Sequence, residues 1–220
     1  TQGVSSAASD VYKRQVEMGA RHKGDIAYLM SIAEPDCGVV LRVGTAHLGE
    51  FGSLEDIASA KSEIISGLKK DATAIVGLYD PFTAKMKSIH SGTVLTFGET
   101  TDATVRATDV DLREGRAHFD LVTPDGRSTV ALRLVGAHQV SNALAAAAIC
   151  HVIGLSNDRI ASGLSIAESH ARWRMEIREL EDLLLINDTY NASPESMKAA
   201  LQTLVHFAQE RGGASWAFVG

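Results

Sequence analysis

Between residues 24 and 78 the chain alternates two kinds of segment, and that alternation leaves few folds open. A helical stretch at 24–34 stops at Pro35, and a continuous apolar run follows at 37–43. A loop at 44–52, an amphipathic helix opening at Leu54 and a second apolar run at 73–78 come next. Strands that are apolar throughout need cover on both faces, and helices between successive strands supply it. The rhythm predicts an α/β fold, a mostly parallel sheet flanked by helices. After Ile89 the pattern changes. Short alternating segments at 93–97, 103–110, 116–122 and 128–134 predict a small antiparallel portion, with Pro124-Asp125-Gly126 turning the last pair. Helices are expected at 140–153 and 156–167, and strands at 175–180 and 183–187. Ser193-Pro194 supplies an N-cap and a first-turn proline for a helix whose Met197, Leu201, Leu204, Val205 and Ala208 share one face. Beyond Gly212-Gly213 a further strand is expected at 216–219, the opening of a second, unfinished α/β unit. Residues 1–15 are polar and aperiodic and read as a disordered or foreign leader.

With 220 residues, 45% of them hydrophobic, the chain can bury a sizeable core, enough for one complete domain and part of another. No apolar run approaches the roughly 18 residues of a membrane span, and no charged-then-apolar signal opens the chain. A cytoplasmic address is therefore expected. A formal charge of -6 and 5% aromatic residues argue against a basic, stacking surface for nucleic acid. Cys37 and Cys150 have no metal-ligand spacing and read as small buried hydrophobes, not as a disulfide.

Lys61 is the anomaly in this pattern. Leu54, Ile57, Ala58, Ile64, Ile65 and Leu68 recur at the helical period, and Lys61 falls inside their stripe. A bare buried ammonium costs several kcal/mol unless its pKa shifts or a partner meets it. Either a function justifies that cost, or the stem snorkels and the head stays wet. Ser53 and Asp56 form a capping box at the start of this helix. Glu17 and His47, with Lys61, fall where α/β sheets hold their sites, past the carboxyl ends of strands or on the helices that follow. Glu17 suits a hard cation such as magnesium, or is a solvated acid. His47 is a ligand, a base or a polar loop residue. An ammonium cannot ligate a metal. If a neutral lysine amine captures carbon dioxide, the carbamate has carboxylate-like oxygens, and that chemistry needs an ammonium disfavoured by burial.

Ordered motifs carry a resemblance. Val16-Glu17-Met18-Gly19-Ala20, Gly24-Asp25-Ile26-Ala27, Ala46-His47-Leu48-Gly49-Glu50-Phe51-Gly52-Ser53 and Ala60-Lys61-Ser62-Glu63-Ile64 resemble successive motifs of the Mur ligases. Gly136-Ala137-His138-Gln139-Val140-Ser141-Asn142-Ala143-Leu144, Arg174-Met175-Glu176 and the run from Asn187 through Tyr190-Asn191-Ala192-Ser193-Pro194 to Met197 continue it in order. The resemblance implies a central ATP-binding domain over 16–173 and the start of a Rossmann-like C-terminal domain over 174–220. Glu17, His47 and a carbamylated Lys61 would hold magnesium, at two sites in an intact enzyme. Asn142 would meet the adenine end of ATP, and Arg174 and Asp188 its phosphates and ribose. Tyr190 and Asn191 would orient substrate. Read as residues alone, Asn142 is equally a helix-start hydrogen bonder, Arg174 a surface cation, Asp188 a turn former, and Tyr190-Asn191 a loop folding into a helix.

The Tyr190-Asn191-Ala192 block resembles the family member that adds D-alanyl-D-alanine to UDP-N-acetylmuramoyl-tripeptide. The implied activity is ATP-dependent amide ligation through an acyl phosphate, by a monomer. Departures matter too. The 220 residues contain no G-x-x-x-x-G-K-[ST] phosphate loop, so this chain alone is expected to be inactive. Another Mur-type or folylpolyglutamate-type ligase, or a noncatalytic nucleotide-binding module, is the alternative.

Overall fold

A computed structural model describes residues 13–46, 48–169 and 171–219. Its elements run α1 (Asp25–Ala33), β1 (Cys37–Val40), α2 (Leu48–Phe51), α3 (Leu54–Ser66), β2 (Thr73–Gly77), α4 (Pro81–Met86), β3 (Thr93–Gly98), β4 (Val105–Arg113), β5 (Arg116–Thr123) and β6 (Gly126–Val135). Helices α5 (Gln139–Val152) and α6 (Asn157–Ile166), strands β7 (Glu176–Leu180) and β8 (Leu183–Asn187), and helix α7 (Pro194–Arg211) complete it. Strands β1 to β6 lie side by side in chain order in one sheet, and β7 pairs with β8 in a second. Two compact units emerge from the contacts. One holds α1 to α4 with β1, β2 and the start of β3; the other holds Gly44–Ala46 and everything from Thr96.

In the first unit β1 and β2 are parallel, Cys37 opposite Thr73 and Val40 opposite Val76. Val40, Val43, Ile57, Ala58, Ile65, Ala74, Val76 and Met86 form its core, with Leu54, Ile64 and Leu68 packed at the margin. The apolar stripe of α3 is thus what covers the sheet. Ser53 caps α3, accepting from the Asp56 amide at 3.1 Å and donating its hydroxyl to the Asp56 carboxylate at 2.6 Å. Helix α1 has no capping side chain of its own at Gly24. Its orphan N–H groups at Gly24 and Ala27 donate instead to Glu63 of α3, at 2.7 and 2.9 Å. Asp80 does the equivalent for α4. One carboxylate oxygen accepts from Phe82 and Thr83 at 2.9 and 2.8 Å, and the other accepts from Val43 just past β1 at 2.9 Å.

In the second unit Phe97 at the end of β3 pairs in parallel with Val105 of β4, and β4, β5 and β6 continue as an antiparallel meander. Strand β5 alternates half-buried and buried positions along its whole length, as a strand with one covered face should. Phe97, Val105, Leu121, Val130 and Leu144 are fully buried. Helix α7 opens with a complete capping box between Ser193 and Ser196 and closes on Gly212 in the left-handed region. It docks on the β4–β5 hairpin. Phe207 is buried, and a Cβ at Gly115, φ +68°, would lie 2.7 Å from its ring. The Glu114 amide donates to Glu210 at 3.1 Å.

Several expectations need correction. The 93–97 segment, expected in the antiparallel portion, pairs in parallel with β4. No strand forms at 216–219, where Trp216 and Phe218 are 80% and 98% exposed: an apolar run becomes a strand only when another edge takes its N–H and C=O groups. Residues 13–20 form neither helix nor strand, so among the described residues no strand leads into Glu17. The 44–52 loop contains the four-residue helix α2. Cys37 and Cys150 are free thiols, and both are half-buried where buried hydrophobes were expected; burial pushes the Cys37 thiol up to about 11, with Asp36 adding to the shift.

Candidate functional site

In the first unit the residue of interest is Lys61. It is half-buried on α3, and its Nζ donates to the carbonyl oxygen of Arg42 at 2.7 Å, two residues past the end of β1. The lysine is therefore not a bare ammonium in apolar surroundings: its stem rides the margin of the stripe and its head reaches the carboxyl end of a strand. Asp80 holds that strand end from the other side through the Val43 amide. Glu17 is exposed. His47 lies outside the described residues. Among the described residues no three histidine, cysteine, aspartate or glutamate side chains gather as a metal site.

In the second unit the β7–β8 hairpin gathers Arg174, Asp188 and Tyr190. The β7–β8 hairpin sets Glu176 opposite Asn187, which brings the residues preceding β7 alongside those following β8. Asp188 accepts from the Met175 amide at 3.0 Å, and the Tyr190 amide donates to the Trp173 carbonyl at 3.0 Å. Between these two bonds the Arg174 guanidinium sits 4.1 Å above the centre of the Tyr190 ring, a cation–π distance. Trp173 and Met175 both have positive φ, 62° and 48°. Such left-handed residues cost of order 1 kcal/mol or more each and persist where their surroundings over-determine them. Here the two hydrogen bonds fall on those very residues. Asn191 is exposed and accepts from the next amide, Ala192, at 2.9 Å, the bond of a residue shaping its own loop.

The start of α5 carries Asn142. Asn142 is exposed and donates through Nδ2 to Oε1 of Gln139 at 3.0 Å. The Gln139 Nε2 lies 3.2 Å from Nε2 of His138. Burial pulls the His138 imidazole below its ordinary 6.5, with the Asp188 charge opposing, and the ring's Nδ1 is buried without a hydrogen-bond partner among the described residues. Gly136 makes room for the ring: at φ +107°, a Cβ there would stand 2.5 and 2.6 Å from its atoms.

Sequence reasoning missed four of the residues that build these groups. His138 and Gln139 stood inside a quoted motif, and Gly136 at a strand-to-helix junction was the usable signal. Asp80-Pro81 was a readable N-cap signature. Glu195, which accepts from the Thr45 amide at 2.8 Å, had no local signal, because its partner lies far away in the chain.

Comparisons with known proteins give the family and the fold. Residues 7–150 match the family model described as the Mur ligase middle domain. Over 209 residues the chain is 41% identical to the UDP-N-acetylmuramoyl-tripeptide--D-alanyl-D-alanine ligase of Mycobacterium bovis, covering 93% of this chain and 41% of that protein. Among solved structures, MurF from Acinetobacter baumannii superposes with a TM-score of 0.80 at 41% identity, covering 85% of this chain and 41% of that one. MurF ligase from Thermotoga maritima in complex with ADP gives 0.76 at 32% identity, covering 86% and 43%. The chain spans about two fifths of the length of these relatives.

Proposed function

The chain belongs to the Mur ligase family, and on that premise we propose that it is the nucleotide-handling part of the ATP-dependent ligase that joins D-alanyl-D-alanine to UDP-N-acetylmuramoyl-tripeptide. The 41% identity to a ligase of that name over 93% of the chain carries the substrate assignment. Supporting the nucleotide assignment is the second-unit group, where Arg174, Asp188 and Tyr190 meet at the mouth of the β7–β8 hairpin. On this reading residues 16–173 are the ATP-binding domain and 174–220 the start of the C-terminal one. The enzyme works in the cytoplasm, where ATP is available.

In the reaction a substrate carboxylate oxygen attacks the γ-phosphorus of ATP and ADP leaves, giving an acyl phosphate. The dipeptide amine adds to the acyl carbon, loses a proton, and the tetrahedral intermediate expels phosphate to leave the amide. Arg174 offers a fixed cation to the phosphates, with its plane held on Tyr190. Asn142 meets the adenine. Lys61 fits the proposed carbamate: the modified nitrogen keeps one N–H, enough for the bond to Arg42, and the new oxygens extend beyond it. Glu17, His47 and that carbamate are the proposed magnesium ligands. When bound, the ion would offset charge on the transferring phosphoryl group.

An enzyme carrying this chain should release ADP with UDP-N-acetylmuramoyl-tripeptide only when D-alanyl-D-alanine is added. Stimulation by a single amino acid, or by glutamate with a folate, would assign it to a different ligase. A second reading, a noncatalytic nucleotide-binding module, is favoured for the 220 residues by themselves because they contain no phosphate-loop motif. Calorimetric titration of this chain with Mg-ATP should give weak binding or none.

A further inference from the structure

Three neighbouring side chains at the start of α5 form a relay whose polarity can be worked out atom by atom. Asn142 Nδ2 donates to Gln139 Oε1 at 3.0 Å. The other end of that amide, Nε2, then faces Nε2 of His138 at 3.2 Å. With the Gln139 amide in this orientation its nitrogen donates, so the ring Nε2 accepts and the imidazole proton falls on Nδ1, which is buried with no hydrogen-bond partner among the described residues. Spending one Nδ2 hydrogen on Gln139 leaves Asn142 with its Oδ1 acceptor and its second N–H donor. An acceptor beside a donor is the complement of adenine, whose N6 amino group donates and whose N7 accepts. Hypoxanthine keeps N7 but carries an acceptor oxygen at position 6, which would oppose Oδ1. Were the ring proton on Nε2, Gln139 would turn over, and Asn142 with it.

We propose that His138 and Gln139 are positioning residues that hold the Asn142 carboxamide in the orientation selecting a 6-aminopurine. The assignment rests on the nucleotide reading of Asn142; the relay does not. Burial keeps the ring neutral, which the accepting role of Nε2 demands. Gly136 lets the ring sit close against the backbone, and Val140 in the next position is buried, fixing the first turn of α5.

The relay is tested on this chain labelled with 15N-histidine, by long-range 1H–15N correlation at neutral pH. A His138→Gln variant identifies the signal among the eight histidines. The expected result is a neutral His138 with its proton on Nδ1. In Gln139→Glu the new carboxylate only accepts, so the proton should move to Nε2. A parent ring protonated on Nε2 or on both nitrogens, or a tautomer that Gln139→Glu leaves unchanged, overturns the relay. Purine selection is read in an enzyme that carries this chain, by calorimetric titration with ATP and with ITP. ATP should bind about tenfold more tightly, and Gln139→Lys, which only donates, should abolish or reverse that preference. Equal binding of ATP and ITP refutes the selection. Binding of neither refutes the nucleotide reading of Asn142, while the tautomer result still decides the relay.

Discussion

Gly136 is the residue on which the α5 group depends most directly. A methyl group there would stand 2.5 Å from the His138 ring and force φ +107° on a residue with a Cβ. Gly136→Ala should lower stability by roughly 1–3 kcal/mol, measured by urea unfolding. His138 also sets a pH dependence. Its folded pKa is depressed, so between that value and 6.5 the unfolded chain binds more protons than the folded one. The stabilisation is therefore complete above about 6.5 and is lost as pH falls through the folded value. Urea midpoints taken from pH 7.5 down to 5 should decline, and His138→Gln should flatten that decline. Lys61 shows what was legible in sequence and what was not. Its place in the α3 stripe marked it as unusual, but the Arg42 carbonyl that meets its head comes from another element and left no trace in the helical period.

Helices whose ends announce themselves locally were the readable ones. Ser193 caps α7 as expected, and Ser53 caps α3, although Asp56 takes the Ser53 hydroxyl and not its amide, so only half of the expected capping box forms. Removing the Ser193 hydroxyl breaks the capping box of α7, and Ser193→Ala should cost about 1 kcal/mol. The check is a lowered thermal midpoint with unchanged far-ultraviolet ellipticity at low temperature. Helix α1 was found by its period although its N-terminus is satisfied from α3 by Glu63, because periodicity does not require a cap. The 216–219 segment failed for the opposite reason: its composition suits a strand, but a strand is a relation between two edges.

At the scale of the molecule, the alternation of buried runs and amphipathic helices was enough to specify an α/β sheet with an antiparallel meander. It was not enough to specify where α7 goes. That helix is held by Phe207 against Gly115 and by Glu210 on the Glu114 amide, contacts that span about ninety residues of chain. Phe207→Ala should destabilise by about 3 kcal/mol and raise amide hydrogen exchange in the β4–β5 hairpin as well as in α7. Exchange confined to α7 would show that the hairpin stands without it. Likewise the residues proposed to meet nucleotide stood inside motifs, whereas the left-handed Trp173 and Met175 that flank Arg174 were not legible, since neither residue type advertises positive φ.

The seat of Phe207 has a practical consequence for anyone dividing the gene. A fragment stopped at 173, where the family resemblance sets the domain boundary, would lose the ring and uncover Gly115 and the neighbouring Val135 as a greasy dimple. Such a shortened protein should sediment as aggregates or self-associated species, and extending it through Arg211 should restore a well-behaved particle.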